Sequence, residues 1–235
     1  MALPTILPIA FIVRRWKLLN RKDLAVYFIM GTENCKNENP LHLLEEALQA
    51  GITIFQLREK GKQPLVGKEL EQFAMKCKAL CKQYQVPFII NDDVDLALKI
   101  DADGVHVGQD DAPLQEIRKK FQGKIIGVSV HNEEEMMNAV KWGADYVGIG
   151  PIYETKSKPD AKKPEGVTFL KKARNMYPDF PIVAIGGITP MNAKEVLESG
   201  ADGVAVISAI CDSGNRKETV QLLKGFKLIE KKEFT

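Results

Sequence analysis

Residues 133–150 read Glu133-Glu-Glu-Met-Met-Asn-Ala-Val-Lys-Trp-Gly143-Ala-Asp-Tyr-Val-Gly-Ile-Gly150. Residues 133–142 carry a helical pattern, Gly143 stands where a left-handed residue ends a helix, and the run from Tyr146 has the short apolar character of a strand. The same helix-to-strand turn recurs as Asp101-Ala-Asp-Gly-Val and Gly200-Ala-Asp-Gly-Val. Outward from these turns, strand-like runs at 26–30, 52–58, 87–91, 104–108, 124–130, 146–150, 181–185 and 203–208 alternate with longer amphipathic stretches. The helical patterns fall at 40–50, 64–84, 94–100, 113–121, 133–142, 166–177, 190–199 and 216–229. In the first of these, Leu41, Leu44, Ala47 and Leu48 recur at the spacing of one helix face. Pro40, Pro64, Pro113 and Pro190 stand near helix starts, and Gly51, Gly143 and Gly200 just past helix ends. Eight such pairs predict an α/β fold, a single (β/α)8 TIM barrel over 26–230, behind a short N-terminal extension over 1–25 read as helical.

Composition narrows the function before any motif does. Lys and Arg number 33 against 31 Asp and Glu, a balance that gives no electrostatic reason to invoke nucleic acid or an anionic membrane. The apolar run 6–13 is followed rather than preceded by Arg14, Arg15 and Lys17, which is the wrong order for a secretory signal, and it falls short of a bilayer span. Cys35, Cys77, Cys81 and Cys211 form no C-x-x-C pair and no zinc spacing, so they read as small buried apolar residues in a reducing cytoplasm. Small-molecule substrates are the expected partners, and a homo-oligomer is left open.

A barrel enzyme builds its site from strand ends and the loops that follow them. Side chains alternate along a strand, so in the second strand Gln56, Arg58 and Lys60 point over the mouth while Leu57 and Glu59 point away. Two cations and an amide converging there suit a diphosphate. Asp92 and Asp111 end neighbouring strands and would repel each other without a cation between them, and Mg²⁺ commonly takes one or two carboxylates plus phosphate oxygens. Asp93 reads as a helix cap.

Gly186 and Gly187 after the seventh strand, with Ile207 and Ser208 after the eighth, occupy the positions where phosphate-binding barrels hold an anion on backbone N–H groups. The connection 153–166, the longest on this face, reads as a lid, with Thr155 and Lys158 its best ligand contacts. Asp103, Asp145 and Asp202 open strands at the opposite end and read as turn and capping residues. His42 reads as part of an exposed helix start, His106 as interior filling, and His131 as a helix-start residue with a ligand contact as the lesser reading. No nucleophile–base arrangement is visible.

The series Gln56-Leu-Arg-Glu-Lys60, Asn91-Asp-Asp93, Gly104-Val-His-Val-Gly-Gln-Asp-Asp111, Gly127-Val-Ser129, Gly150-Pro-Ile-Tyr-Glu-Thr-Lys-Ser-Lys158, Ala184-Ile-Gly-Gly-Ile188 and Val206-Ile-Ser-Ala-Ile210 resembles the thiamine-phosphate synthase family, in the family's order. The resemblance implies that 4-amino-2-methyl-5-pyrimidinylmethyl diphosphate and a thiazole phosphate combine to thiamine phosphate and pyrophosphate, through early loss of pyrophosphate. It implies substrate binding by Gln56, Leu57, Arg58, Glu59, Lys60, Asn91 and Lys158 around the pyrimidine diphosphate, Mg²⁺ on Asp92 and Asp111, and Ser129 beside the pyrimidine. Thr155, Lys156 and Ser157, with Gly187, Ile207 and Ser208, match its thiazole phosphate site; Arg58, Lys60, Ser129 and Lys158 carry the catalytic roles. Two features depart from the family: the apolar leader is extra, and Glu154 replaces a frequent proline. Two other readings stay open on the same barrel, a thiazole tautomerase and a non-catalytic barrel that binds a thiamine precursor.

Overall fold

A computed structural model describes residues 19–155, 157, 163, 164 and 166–225. Eight parallel strands close a barrel in chain order: β1 Val26–Met30, β2 Ile54–Leu57, β3 Phe88–Asn91, β4 Gly104–Val107, β5 Ile125–Val130, β6 Tyr146–Ile149, β7 Ile182–Ile185 and β8 Gly203–Val206. Closure is made by β1 on β8, with Tyr27 opposite Ala205. Each strand is shorter than or equal to its predicted run, because the first and last residues of those runs turn out of the ladder into loops.

The helices are α1 Pro40–Ala50, α2 Gly67–Gln83, α3 Val94–Lys99, α4 Leu114–Lys120, α5 Glu133–Trp142, α6 Thr168–Met176, α7 Ala193–Glu198, α8 Ser208–Cys211 and α9 Arg216–Leu223. Local chemistry sets their ends. The Asn39 side chain accepts from Leu41 N and His42 N at the start of α1, ahead of Pro40, and Gly51 closes the helix at φ 91°. Asn132 caps α5 in the same way and Gly143 ends it at φ 84°.

Three expectations need correction. The second helix starts at Gly67 rather than Pro64, because the chain is still extended at Val66, and the seventh at Ala193 rather than Pro190, because Asn192 N and Ala193 N first close a turn on Thr189 O. The eighth strand stops at Val206, and Ile207 at ψ −81° turns the chain so that Ser208 opens α8. The predicted end of the last helix, 226–229, and residues 1–18 of the leader lie outside the described residues. Residues 21–24 form a 3-10 turn whose Leu24 is fully buried beneath the barrel.

Alternation along the strands divides the core. Phe28, Phe55 and Phe88 stand in register on β1, β2 and β3, with ring centroids 5.6 and 6.0 Å apart, and face the helices. Tyr27 and Gln56, one position away, face the interior and bond to each other there.

Candidate active site

The ends of β2, β3 and β4 bring charge together. Arg58 follows β2 and is only 7% exposed, while Lys60 reaches Asp92 beyond β3 with Nζ 2.5 Å from Oδ2. Asp92 sits at φ +60°, an uncommon conformation for a non-glycine residue, and its N–H donates to His106 O at 2.8 Å. Strain of this kind persists where the surroundings fix it, and it collects at functional positions. Asp111 lies beside Asp92 and its Oδ2 accepts from Gly108 N at 2.6 Å. Partial burial pushes the Asp111 carboxyl above the usual range, and the neighbouring Asp92 adds to that rise while Lys60 opposes it.

The two crowded carboxylates of Asp92 and Asp111 form a donor set that fits Mg²⁺, and Lys60 pairs with one of them. No group of three or more His, Cys, Asp or Glu side chains gathers as a fuller metal cage among the described residues. Mg²⁺ characteristically needs only one or two carboxylates when phosphate oxygens and water complete its shell.

Beneath the mouth, polar side chains cross the barrel interior. Gln56 Nε2 donates to Tyr27 Oη at 2.7 Å, and Tyr27 Oη lies 2.7 Å from Tyr146 Oη. Tyr146 Oη is 3.0 Å from His106 Nδ1, and His106 Nε2 is 2.9 Å from Ser129 Oγ. Burial pushes both phenols well above the ordinary tyrosine range, so both stay protonated. Gly127 makes the room: a Cβ there would lie 2.1 Å from Tyr146 Cζ and 2.5 Å from His106 Nδ1. Ser129 is further fixed by Gln109, whose Nε2 donates to the Ser129 carbonyl at 2.6 Å.

The opposite side of the mouth is a cavity of about 440 Å³ between the ends of β6, β7 and β8, lined in part by Thr155, Ser157, Gly187, Ile188, Ile207 and Ser208. Ser157 Oγ donates to Ser208 Oγ at 3.1 Å, joining the loop after β6 to the start of α8. Gly186 and Gly187 have φ 101° and 63°, and a Cβ on Gly187 would lie 2.4 Å from Glu154 O. The pair therefore lets two loops close over one concavity.

Other predicted residues are placed as follows. Asn91 ends β3 opposite His106. Leu57 is buried at 2% exposure, and Glu59 accepts from Thr32 N, Thr32 Oγ1 and Leu65 N, so neither side chain enters the mouth. Asp93 accepts from Leu96 N and caps α3. His131 Nδ1 lies 2.9 Å from Glu135 Oε2 at the start of α5. Lys156 and Lys158 lie outside the described residues.

The interior residues Tyr27, Tyr146 and His106 escaped the sequence reading as a functional group. Their signal was present: Gly127 and Gly148 leave the interior of β5 and β6 open, and a large polar ring on a neighbouring strand is what fills such a space. A contact between β1 and β6, by contrast, has no trace in local pattern.

Comparison with known proteins shows the family. A family model described as thiamine monophosphate synthase matches residues 26–210. The thiamine-phosphate synthase of Lysinibacillus sphaericus (strain C3-41) is 54% identical over 213 residues, covering 91% of this chain and 100% of its own. The thiamine-phosphate synthase of Geobacillus kaustophilus (strain HTA426) is 54% identical over 204 residues, 86% of this chain and 91% of its own. Among solved structures, thiamine phosphate pyrophosphorylase from Pyrococcus furiosus has a TM-score of 0.77 at 35% identity, over 87% of this chain and 96% of that one.

Proposed function

Because the chain belongs to the thiamine monophosphate synthase family, we propose that the side chains at its own barrel mouth carry out the family's joining reaction. The activity is that of a thiamine-phosphate synthase, a transferase of thiamine biosynthesis. It joins the pyrimidinylmethyl group of 4-amino-2-methyl-5-pyrimidinylmethyl diphosphate to the nitrogen of 4-methyl-5-(2-phosphoethyl)thiazole, giving thiamine phosphate and pyrophosphate.

The observation that carries the assignment of roles is the Lys60–Asp92 pair with Asp111 crowded against it. Arg58, Lys60 and Lys158 hold the diphosphate and offset its growing charge as the C–O bond breaks and the bonding pair leaves with pyrophosphate. Asp92 and Asp111 hold Mg²⁺, which when bound supplies Lewis-acid stabilisation of that leaving group. Gln56, Asn91 and Ser129 hold the pyrimidine, and Thr155, Lys156, Ser157, Gly187, Ile207 and Ser208 hold the thiazole phosphate. The thiazole nitrogen then donates its lone pair to the methylene carbon. That nitrogen carries no proton to remove, so the step needs no protein base, in keeping with the lack of a nucleophile–base pair in the sequence reading.

No helix among the described residues is long and apolar enough to cross a membrane. Buried free thiols at all four cysteines fit work in the cytoplasm. The test is to mix both substrates with and without Mg²⁺ and follow thiamine phosphate and pyrophosphate. Asp92→Ala is expected to lose the metal-dependent turnover with an unchanged circular dichroism spectrum. Wild-type turnover in that variant would remove the metal assignment, and tautomerisation of the thiazole without any coupling would replace the reaction itself.

A further inference from the structure

We propose that Gln56, Tyr27, Tyr146, His106 and Ser129 form a one-way hydrogen-bond chain that fixes what the mouth offers the pyrimidine, an acceptor at Gln56 and a donor at Ser129. The proposal rests on the synthase reading and adds to it three positioning residues, Tyr27, Tyr146 and His106. Its substance is polarity, since no proton needs to travel.

The direction follows from counting protons. The Gln56 amide nitrogen can only donate, and it donates to Tyr27 Oη. Tyr27 is 1% exposed, and Tyr146 Oη is the other partner of its hydroxyl in the described residues. A phenol has a single proton, so Tyr27 hands its proton to Tyr146, because pointing it elsewhere would bury an unsatisfied donor. Tyr146 is fully buried and by the same reasoning donates onward to His106 Nδ1. A neutral imidazole that accepts at Nδ1 carries its proton on Nε2, and Nε2 faces Ser129 Oγ. Ser129 therefore accepts from the histidine, and its own hydroxyl proton is available to a ligand. At the far end the Gln56 amide, with its nitrogen engaged inward, presents Oε1.

The acceptor end matches an aminopyrimidine, whose exocyclic amine donates to Gln56 Oε1, while the Ser129 hydroxyl proton is left for an acceptor elsewhere on the same substrate. A pyrimidine with a carbonyl in place of the amine would set two acceptors against each other at Gln56. Sites built around buried hydrogen bonds reject such analogues strongly, because the protein group left without a partner is costly to desolvate. Reversing the chain would reverse the offer, and each link depends on the one before it. A polar chain locked at both ends thus carries chemical information from β2 to β5 through residues on β1, β6 and β4.

The experiment reads the chain without relying on catalysis. ¹⁵N NMR of the histidine-labelled full chain, at a pH where the ring is neutral, is expected to show His106 protonated on Nε2 and bare on Nδ1. Protonation on Nδ1 would overturn the proposed direction. Tyr146→Phe removes the middle link; it is expected to mix the His106 tautomers and raise KM for the pyrimidine diphosphate by about tenfold, the scale of one lost hydrogen bond. KM for the thiazole phosphate should stay constant, and the preference for the amino over the oxo pyrimidine diphosphate should narrow. Equal changes in both KM values, or a tautomer and pyrimidine KM like wild type, would overturn the positioning role. If wild type forms no thiamine phosphate at all, the synthase reading fails, while the tautomer measurement still judges the chain.

Discussion

Asp111 carries a carboxyl group at odds with its surroundings. Burial raises its carboxyl first, and Asp92 adds like-charge repulsion that Lys60 only partly relieves. The second carboxylate is therefore a local cost to the fold, and on the proposed metal assignment a divalent cation would offset it. Asp111→Asn is expected to raise the melting temperature of metal-free protein by about 1–3 °C, since it deletes the repulsion and its amide oxygen can still accept from Gly108 N. The same variant should lose any stabilisation by Mg²⁺ and most of its turnover. Differential scanning calorimetry with EDTA and with Mg²⁺ separates the two effects, and a lower melting temperature in EDTA would show that the pair is not in conflict. The conflict was legible in the sequence because Asp92 and Asp111 stand at corresponding ends of neighbouring strands. The uncommon backbone at Asp92 was not, because a positive φ in a non-glycine residue is imposed by contacts such as the bond to His106 O rather than by the residue type.

At the scale of elements, the repeated Ala-Asp turn acts as a clamp at the barrel floor. Asp103, Asp145 and Asp202 each accept from the first residues of the preceding strand, at Phe88 N, Ile126 N and Ile182 N, all at 2.8 Å. Two of the clamps contain an arginine. Arg118 joins Asp145 and the carbonyls of Phe121, Lys124 and Gly143, while Arg174 joins Asp202 and the carbonyls of Tyr177, Pro178, Phe180 and Gly200. Each arginine fastens a helix end to the turn that follows the next helix. The turn residues could be read from sequence, but the arginines could not be matched to them by local pattern; only their like placement ahead of Gly143 and Gly200 gives a hint. Asp145→Ala leaves a largely buried guanidinium without its carboxylate and the Ile126 N–H without an acceptor. We expect a loss of about 3 kcal/mol in urea unfolding with kcat/KM unchanged, because the clamp lies at the end of the barrel away from the mouth. An activity loss that exceeds the loss of folded protein would show that the two ends are coupled.

At the scale of the whole molecule, closure is what makes a site from fragments. The eight strands were legible because each repeats one local pattern, and a parallel sheet with helices outside has few ways to arrange eight such pairs. Which interior side chains meet was not legible, since Tyr27 and Tyr146 are 119 residues apart and their contact depends on the register around the full ring. The same argument applies to the charges: Arg58, Lys60, Asp92 and Asp111 come from the ends of three successive strands and act together only while the barrel holds them. A ligand that needs all of them should therefore stabilise the entire fold. Pyrophosphate and Mg²⁺ together, at about a hundred times their apparent Kd, are expected to add about 2.7 kcal/mol, or about 5–10 °C in melting temperature for a domain of this size. Each alone should do far less, since Mg²⁺ lacks its phosphate oxygens and pyrophosphate meets two carboxylates. Arg58→Ala and Asp92→Ala should each abolish the joint shift. If the two ligands stabilise additively and independently, they occupy separate sites, and the convergence of charge at one mouth is not what holds pyrophosphate.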